Sequence, residues 1–255
     1  MSATRLMFVR TAHQAVRHPG VAFGQSIAPA LLIGTIFTAL FESVAALPGF
    51  PLDSYGEWVL PGTLFLSAVV GAGFTAAELL RDIASGFIDR VRLTPALPAS
   101  LVAGRAGFEA VRGSVAAVVI LAVGILRGAA DHVTLGGAIA VLALTTGFAV
   151  SWNGIFFLTA VVTRNPAAVL GLQPLFFPIM LFSTWFGPRT LMPGWYAQIS
   201  DLNPVTAYLD ATRSILRNTP DWSTIGVAVA FELVLGAVTY GLATHRFRRS
   251  LEAAS

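Results

Sequence analysis

Residues 21–41 hold no charged side chain, and neither do residues 58–77, 133–163 or 165–188. About 20 apolar residues in a helix cross the hydrocarbon core of a bilayer, and each of these runs is at least that long. Two further runs join them. Residues 222–244 are interrupted only by Glu232. Residues 113–126 are too short alone, so that helix must start earlier and bring in Arg105, Glu109 and Arg112. In lipid every backbone polar group needs an internal partner, and the runs lack the alternation of barrel strands. The sequence therefore predicts an all-α polytopic membrane protein. Its six transmembrane helices are expected at 21–46, 58–79, 106–127, 133–163, 165–188 and 222–244, within one transmembrane domain over 1–255. Charged residues make up 11% of the chain, against about 25% in soluble domains.

Six crossings put both termini on one side, and arginine sets the orientation. Arg5, Arg10, Arg17, Arg81, Arg90, Arg92, Arg105, Arg112, Arg164, Arg246, Arg248 and Arg249 fall on one side. Arg127, Arg189, Arg213 and Arg217 fall on the other, with Asp53, Glu57, Asp131, Asp201, Asp210 and Asp221. The side with twelve arginines is expected to be cytoplasmic, with residues 245–255 as a cytoplasmic tail. No cleavable leader is expected, because the first apolar run is of full span length. Small residues recur within the spans, as at Gly71, Gly73 and Ala77, and read as helix-packing positions.

The composition also excludes chemistries. All 16 basic residues are arginine, so no phosphate-binding Walker lysine and no Schiff-base lysine exists. There is no cysteine. The four histidines, His13, His18, His132 and His245, lack metal-ligand spacing. No catalytic residue, metal site or nucleic-acid partner is expected.

Three segments outside the spans carry patterns. Residues 5–17 form a basic amphipathic helix, with Phe8, Val9, Ala12, Ala15 and Val16 opposite Arg10, His13, Gln14 and Arg17. It is expected to lie in the headgroup layer over residues 1–20 and to stop at His18-Pro19-Gly20. Between spans two and three, Leu79, Leu80, Ile83, Phe87, Ile88 and Val91 project opposite Glu78, Arg81, Asp82, Asp89 and Arg92, with Arg90 as the exception. Gly86 divides this stretch, and Pro95 and Pro98 forbid one continuous rod. A turn needs only a few residues, so this segment reads as a docking element for a cytoplasmic partner. Between spans five and six, Asn203 and Pro204 fit an N-cap with proline at the first helical position. Val205, Tyr208, Leu209, Thr212, Ile215 and Leu216 then form an apolar stripe, with Asp210, Arg213 and Arg217 marking a polar side. This segment reads as a helical covering on the outer face.

Two charge features lie within spans. Arg105, Glu109 and Arg112 share one helix face, where mutual pairing is expected. Glu232 sits near the middle of span six. A carboxylate there is costly and is expected to face the interior; substrate contact, proton relay and a polar helix contact all remain open for it.

Together these features resemble the membrane subunit of type-2 ABC exporters, particularly the drug-resistance branch similar to the daunorubicin exporter permease. The resemblance covers nearly the whole chain. It rests on the topology, on LRDIASGFIDRVRLTPALPASLVAGR after span two and on LNPVTAYLDATRSIL before span six. In the first motif the shared features are Gly86, Asp89, Arg90, Thr94 and Pro95; in the second they are Asn203, Pro204 and Arg213. Phe87 and Asp82 depart from residues common in relatives. The resemblance implies a coupling helix that includes Glu78, Arg81, Asp82, Gly86, Asp89, Arg90, Arg92, Thr94 and Pro95, docked on a separate ABC ATPase in two copies. It also implies a second copy of this chain, ATP and magnesium on the ATPase and none on this chain, and a bacterial plasma membrane location. The aromatic and aliphatic spans point to a hydrophobic or amphipathic cargo such as a drug, a lipid or a polyketide-like molecule. Two other classes stay in view. An ion-driven secondary transporter is compatible with Glu232, Pro174 and Pro178. A membrane-embedded enzyme would need a cluster of catalytic side chains, and the carboxylates are scattered.

Overall fold

The computed structural model describes residues 8–9, 12–13, 15, 17, 19–84 and 98–252, and among them all regular structure is helical. A π-turn at Gly20–Gly24 opens into α1 (Gln25–Phe41), which ends in a 3₁₀ turn at Glu42–Ala46. The long helices α2 (Tyr55–Ala84), α3 (Pro98–Leu126) and α4 (Leu135–Thr163) follow. Next come two short helices, α5 (Pro166–Leu170) and α6 (Leu172–Leu181), and then α7 (Gly194–Leu202) and α8 (Pro204–Leu216). The last helix is α9 (Trp222–Glu252).

Five stretches among the described residues are long and apolar enough to cross a membrane: Ala22–Ala46, Tyr55–Asp82, Val102–Leu126, Leu135–Thr163 and Trp222–Arg246. The expected span at 165–188 differs. It is the pair α5 and α6, 16 residues from Pro166 to Leu181, with the helix interrupted at Gly171. Pro178 removes a backbone donor inside α6, and the helix ends three residues later. Two boundaries also shift. The expected stop at His18-Pro19-Gly20 is absent from Pro19 onward: Pro19 holds φ −63° and ψ −34°, and the chain passes helically into the π-turn and α1. A proline φ is already helical, so Pro19 can stand within a helical run. Residues Glu78, Arg81 and Asp82 are not on a separate surface helix but on the last turns of α2.

Helix α2 is the central pillar. Almost all of it is buried, against little of α1 or α9, and it packs on α1, α3, α4 and α8. Its small residues permit this. A Cβ on Gly62 would lie 2.0 Å from Trp185 Nε1, and one on Gly71 would lie 1.9 Å from Arg112 Nη1. Only a bare backbone admits those two side chains. An aromatic core then links Phe65 to Phe148 (ring centroids 5.1 Å apart), Phe148 to Tyr208 (4.8 Å) and Trp152 to Phe176 (4.6 Å).

Helix directions follow from these pairings. Helices α2 and α3 are antiparallel: Leu60 meets Gly124, while Thr75 meets Glu109. Helices α4 and α9 run parallel: Gly147 meets Glu232, Ser151 meets Gly236 and Gly154 meets Thr239. The chain between α4 and α9 must therefore travel back from the end of α4 at Thr163 to the end at Leu135.

Candidate functional site

Among the described residues, the buried charged side chains lie at three places. The first lies toward the arginine-rich end, between α2 and α3. Arg105 forms an ion pair with Asp82. The expected mutual pairing of Arg105, Glu109 and Arg112 is thus only partly formed: Arg112 donates to both oxygens of Glu109, but Arg105 reaches across to α2. The crossing places Asp82 opposite Arg105, 23 residues away in sequence, and a same-helix wheel cannot register such a neighbour. Thr75 of α2 donates to Glu109 Oε2 at 2.6 Å. Glu109 has no exposed surface, and Arg112 is 4% exposed, so this is an ion pair wholly inside the protein. One ion pair, Asp82–Arg105, and one hydrogen bond, Thr75–Glu109, therefore bind the last turns of α2 to the first turns of α3. Of the coupling residues read from the sequence, Gly86, Asp89, Arg90, Arg92, Thr94 and Pro95 lie outside the described residues; the described chain resumes at Pro98. Glu78 is half-buried and Arg81 exposed on α2, beside the Asp82 clamp.

The second place is the opposite end, around α8. The sequence placed Arg213 on a polar outer side, and this is corrected by the structure. Helix α8 is inserted into the bundle rather than laid over it. Tyr208 bonds Thr145 at 2.9 Å, and Thr145 lies ten residues into α4, about 15 Å along its axis. Arg213 is 7% exposed. Its guanidinium lies 3.7 Å from the Trp58 ring centroid. It donates to Trp58 O (3.3 Å), Thr184 Oγ1 (2.9 Å), Thr184 O (2.7 Å) and Asp210 Oδ1 (2.7 Å). A rigid planar fork suits this many acceptors. Burial pulls the Arg213 pKa down to about 10 although Asp210 opposes the shift, so the group stays charged at neutral pH. Asp210 Oδ2 also accepts from Arg189 (2.7 Å), which pairs with Asp201 as well. Burial works against the Arg189 charge, but the bonds and charges of Asp201 and Asp210 outweigh it and hold its pKa above the usual value.

Asn203 does two things. Its Oδ1 accepts from Val205 N at 3.0 Å, the N-cap expected ahead of Pro204. Its Nδ2 donates to Ile179 O (2.6 Å) and Phe182 O (2.9 Å) at the end of α6. One side chain thus finishes one helix and starts another. Asn203→Ala is expected to lower unfolding free energy by about 1–2 kcal/mol. Asn203→Asp keeps the cap but loses both donors, and should fall between. Thermal unfolding of the three purified proteins checks the order.

The third place is Glu232, 8% exposed on α9. It borders a cavity of about 500 Å³ between α4, the end of α8 and α9.

Sequence reading missed Trp58, Thr184, Asp201 and Arg189 as a set. Only the polar run after span five hinted at acceptors there.

Comparisons with known proteins agree with this architecture. The family model described as ABC-2 type transporter matches residues 2–216. A daunorubicin resistance ABC transporter permease protein of Streptomyces coeruleorubidus is 30% identical over 252 residues, covering 97% of this chain and 87% of the relative. A putative transport permease of Porphyra purpurea is 25% identical over 215 residues, covering 82% of this chain and 72% of the relative. A probable multidrug ABC transporter permease of Escherichia coli K12 is 22% identical over 205 residues; the match covers 79% of this chain and 55% of the relative. No solved structure matches.

Proposed function

The chain belongs to the ABC-2 type transporter family, and from that premise we propose that it is the membrane subunit of an exporter driven by a separate ABC ATPase. The cargo is a hydrophobic or amphipathic molecule, in keeping with the drug-resistance relative. The chain's own resources support the division of labour. Without a lysine it has no Walker loop, so ATP and magnesium belong to the partner.

The observation that carries the reading is the pair of links between α2 and α3, the Asp82–Arg105 ion pair and the Thr75–Glu109 hydrogen bond. Asp82–Arg105 clamps the two ends of the segment that holds Gly86, Asp89, Arg90, Arg92, Thr94 and Pro95. Behind it, Thr75, Glu109 and Arg112 continue the connection into the bundle. A push on that segment by a closing ATPase dimer would reach both helices at once. The segment is the proposed coupling helix on the cytoplasmic side, with both termini on that side of a bacterial plasma membrane. The parallel run of α4 and α9 favours six crossings, with α5, α6 and the turns after them as a short fifth. The exposed apolar faces of α1 (Leu32, Ile36, Leu40) and α6 (Phe177) suit lipid and a second copy of the chain, giving two permease and two ATPase subunits.

The test is co-expression with a candidate ABC ATPase subunit. Copurification and cargo-stimulated ATP hydrolysis are expected. The double variant Asp89→Arg with Arg92→Asp should keep the protein folded and the ATPase active while transport falls by tenfold or more, about the effect of removing one well-placed charge contact. Transport unchanged in that variant overturns the coupling role. Activity abolished by a protonophore, with no ATPase bound, would instead establish ion-driven transport.

A further inference from the structure

Helix α1 packs along α2 and touches α3 far less. At the end of the bundle opposite Asp82–Arg105, this leaves a cavity of about 180 Å³ between the last turns of α1 and α3 and the first turns of α2. The apolar stretches end there at Ala46 and Leu126 and begin at Tyr55, so the cavity sits at the membrane boundary. It is separate from the cleft beside Glu232 and shares no lining residue with the Arg213 cluster.

The lining changes with depth. Leu31, Leu60 and Ile120 line the inner part. Thr38 and Thr63 also border the cavity, but their hydroxyls bond carbonyls of their own helices. Arg127 follows the end of α3, and its Nη1 donates to Thr35 Oγ1 of α1 at 2.6 Å. The guanidinium therefore stands at the level of Thr35, one turn above Leu31. Glu42 lies seven residues beyond Thr35, about 10 Å further toward the boundary. From the interior outward the order is apolar, cationic, anionic. Both charged side chains are exposed and line the same cavity, yet they do not pair with each other. A guanidinium has five N–H donors, and Thr35 is the one side-chain partner of Arg127 among the described residues. Glu42 has no hydrogen bond or ion pair among the described residues.

We propose that this cavity binds one molecule of phosphatidylethanolamine, a zwitterionic phospholipid, as a resident lipid and not as cargo. Its phosphate meets the Arg127 guanidinium, its ammonium meets Glu42, and the upper part of one acyl chain lies against Leu31, Leu60 and Ile120. The lipid carries these groups in the same order as the cavity: acyl chain, phosphate, then amine toward water. A guanidinium fork matches phosphate oxygens. An ionised carboxylate only accepts hydrogen bonds, and a primary ammonium brings three donors. The volume falls below the range of sites that enclose a drug-sized ligand, so most of the lipid remains in the bilayer. The exporter reading enters only in naming the leaflet as the outer one.

The test uses the full chain purified in detergent, with no ATPase present. Native mass spectrometry counts bound lipid as dioleoyl phosphatidylethanolamine or dioleoyl phosphatidylglycerol is titrated in. The two share phosphate and acyl chains, and only the first has the amine. One phosphatidylethanolamine per chain is expected, held about tenfold more tightly than phosphatidylglycerol, the effect of one charge-assisted hydrogen bond. Arg127→Gln should weaken phosphatidylethanolamine about tenfold or more. Glu42→Gln should erase the preference while phosphatidylglycerol binds at least as well as to the wild type, a change of selectivity that loss of packing does not produce. Both side chains are exposed, so both variants are expected to fold; should Arg127→Gln fail to, the selectivity of Glu42→Gln decides. Equal affinity for the two lipids in the wild type overturns the proposal, as does an unchanged preference in Glu42→Gln or unchanged binding in Arg127→Gln. Copurification with an ATPase tests the exporter reading separately, and none of these outcomes alters it.

Discussion

Arg213→Ala is expected to destabilise the protein by about 3–5 kcal/mol, the cost of removing one partner from a buried ion pair. The guanidinium supplies donors to Trp58 O, Thr184 O, Thr184 Oγ1 and Asp210. Its removal leaves two carbonyls and a carboxylate oxygen without those donors, and opens a gap over the Trp58 ring. Arg213→Lys keeps the charge but offers three donors in place of a planar fork, and should recover only part of the loss. Thermal unfolding followed by size-exclusion chromatography reads both variants, with the alanine variant melting on the order of 10 °C lower. Unchanged melting in Arg213→Ala would show that α8 is held by its apolar stripe alone.

Glu109→Ala should cost a similar amount, about 3–5 kcal/mol, for a different reason. The remaining Arg112 would stay enclosed against Gly71, with its charge unanswered. The informative comparison is Glu109→Leu with Arg112→Met. Replacing both members of a buried pair by apolar groups of similar volume is often close to neutral. That double variant is expected to melt within a few degrees of the wild type, whereas Glu109→Ala alone does not. If the double variant is as unstable as the single one, the pair is not the source of the cost, and the Thr75 bond or local packing is. If the double variant folds but loses transport, the buried Glu109–Arg112 pair serves coupling beyond stability.

Much of the membrane layout is legible in the sequence, because a bilayer imposes one simple demand on length and polarity. The long runs become α1, α2, α3, α4 and α9, and Asn203 caps the helix that begins at Pro204. What resists reading are contacts made across the bundle. A helical wheel scores Arg213 as polar and turns it outward. It cannot see that Trp58 and Thr184 wait with acceptors 155 and 29 residues away. The same holds for Asp82 and Arg105. The break at Gly171 within the expected fifth span escapes a reading by length, even with Pro174 and Pro178 beside it: 24 uncharged residues look like a span whether or not the helix is continuous.

Arg213 also bears on the order in which the chain can assemble. Trp58 leaves the ribosome 155 residues before its cation does. The earlier helices α1 to α4 can pair with one another as they enter the bilayer, by contacts such as Thr75–Glu109 and Phe65–Phe148. The slot that receives α8 stays open until then, with Thr145 and the Trp58 carbonyl still without their partners on α8. Closure of so distant a pair carries the larger loop entropy and comes late. A chain halted before residue 213 would therefore hold its earlier helices in place and still present an unfilled polar seam at the end of the bundle that α8 closes.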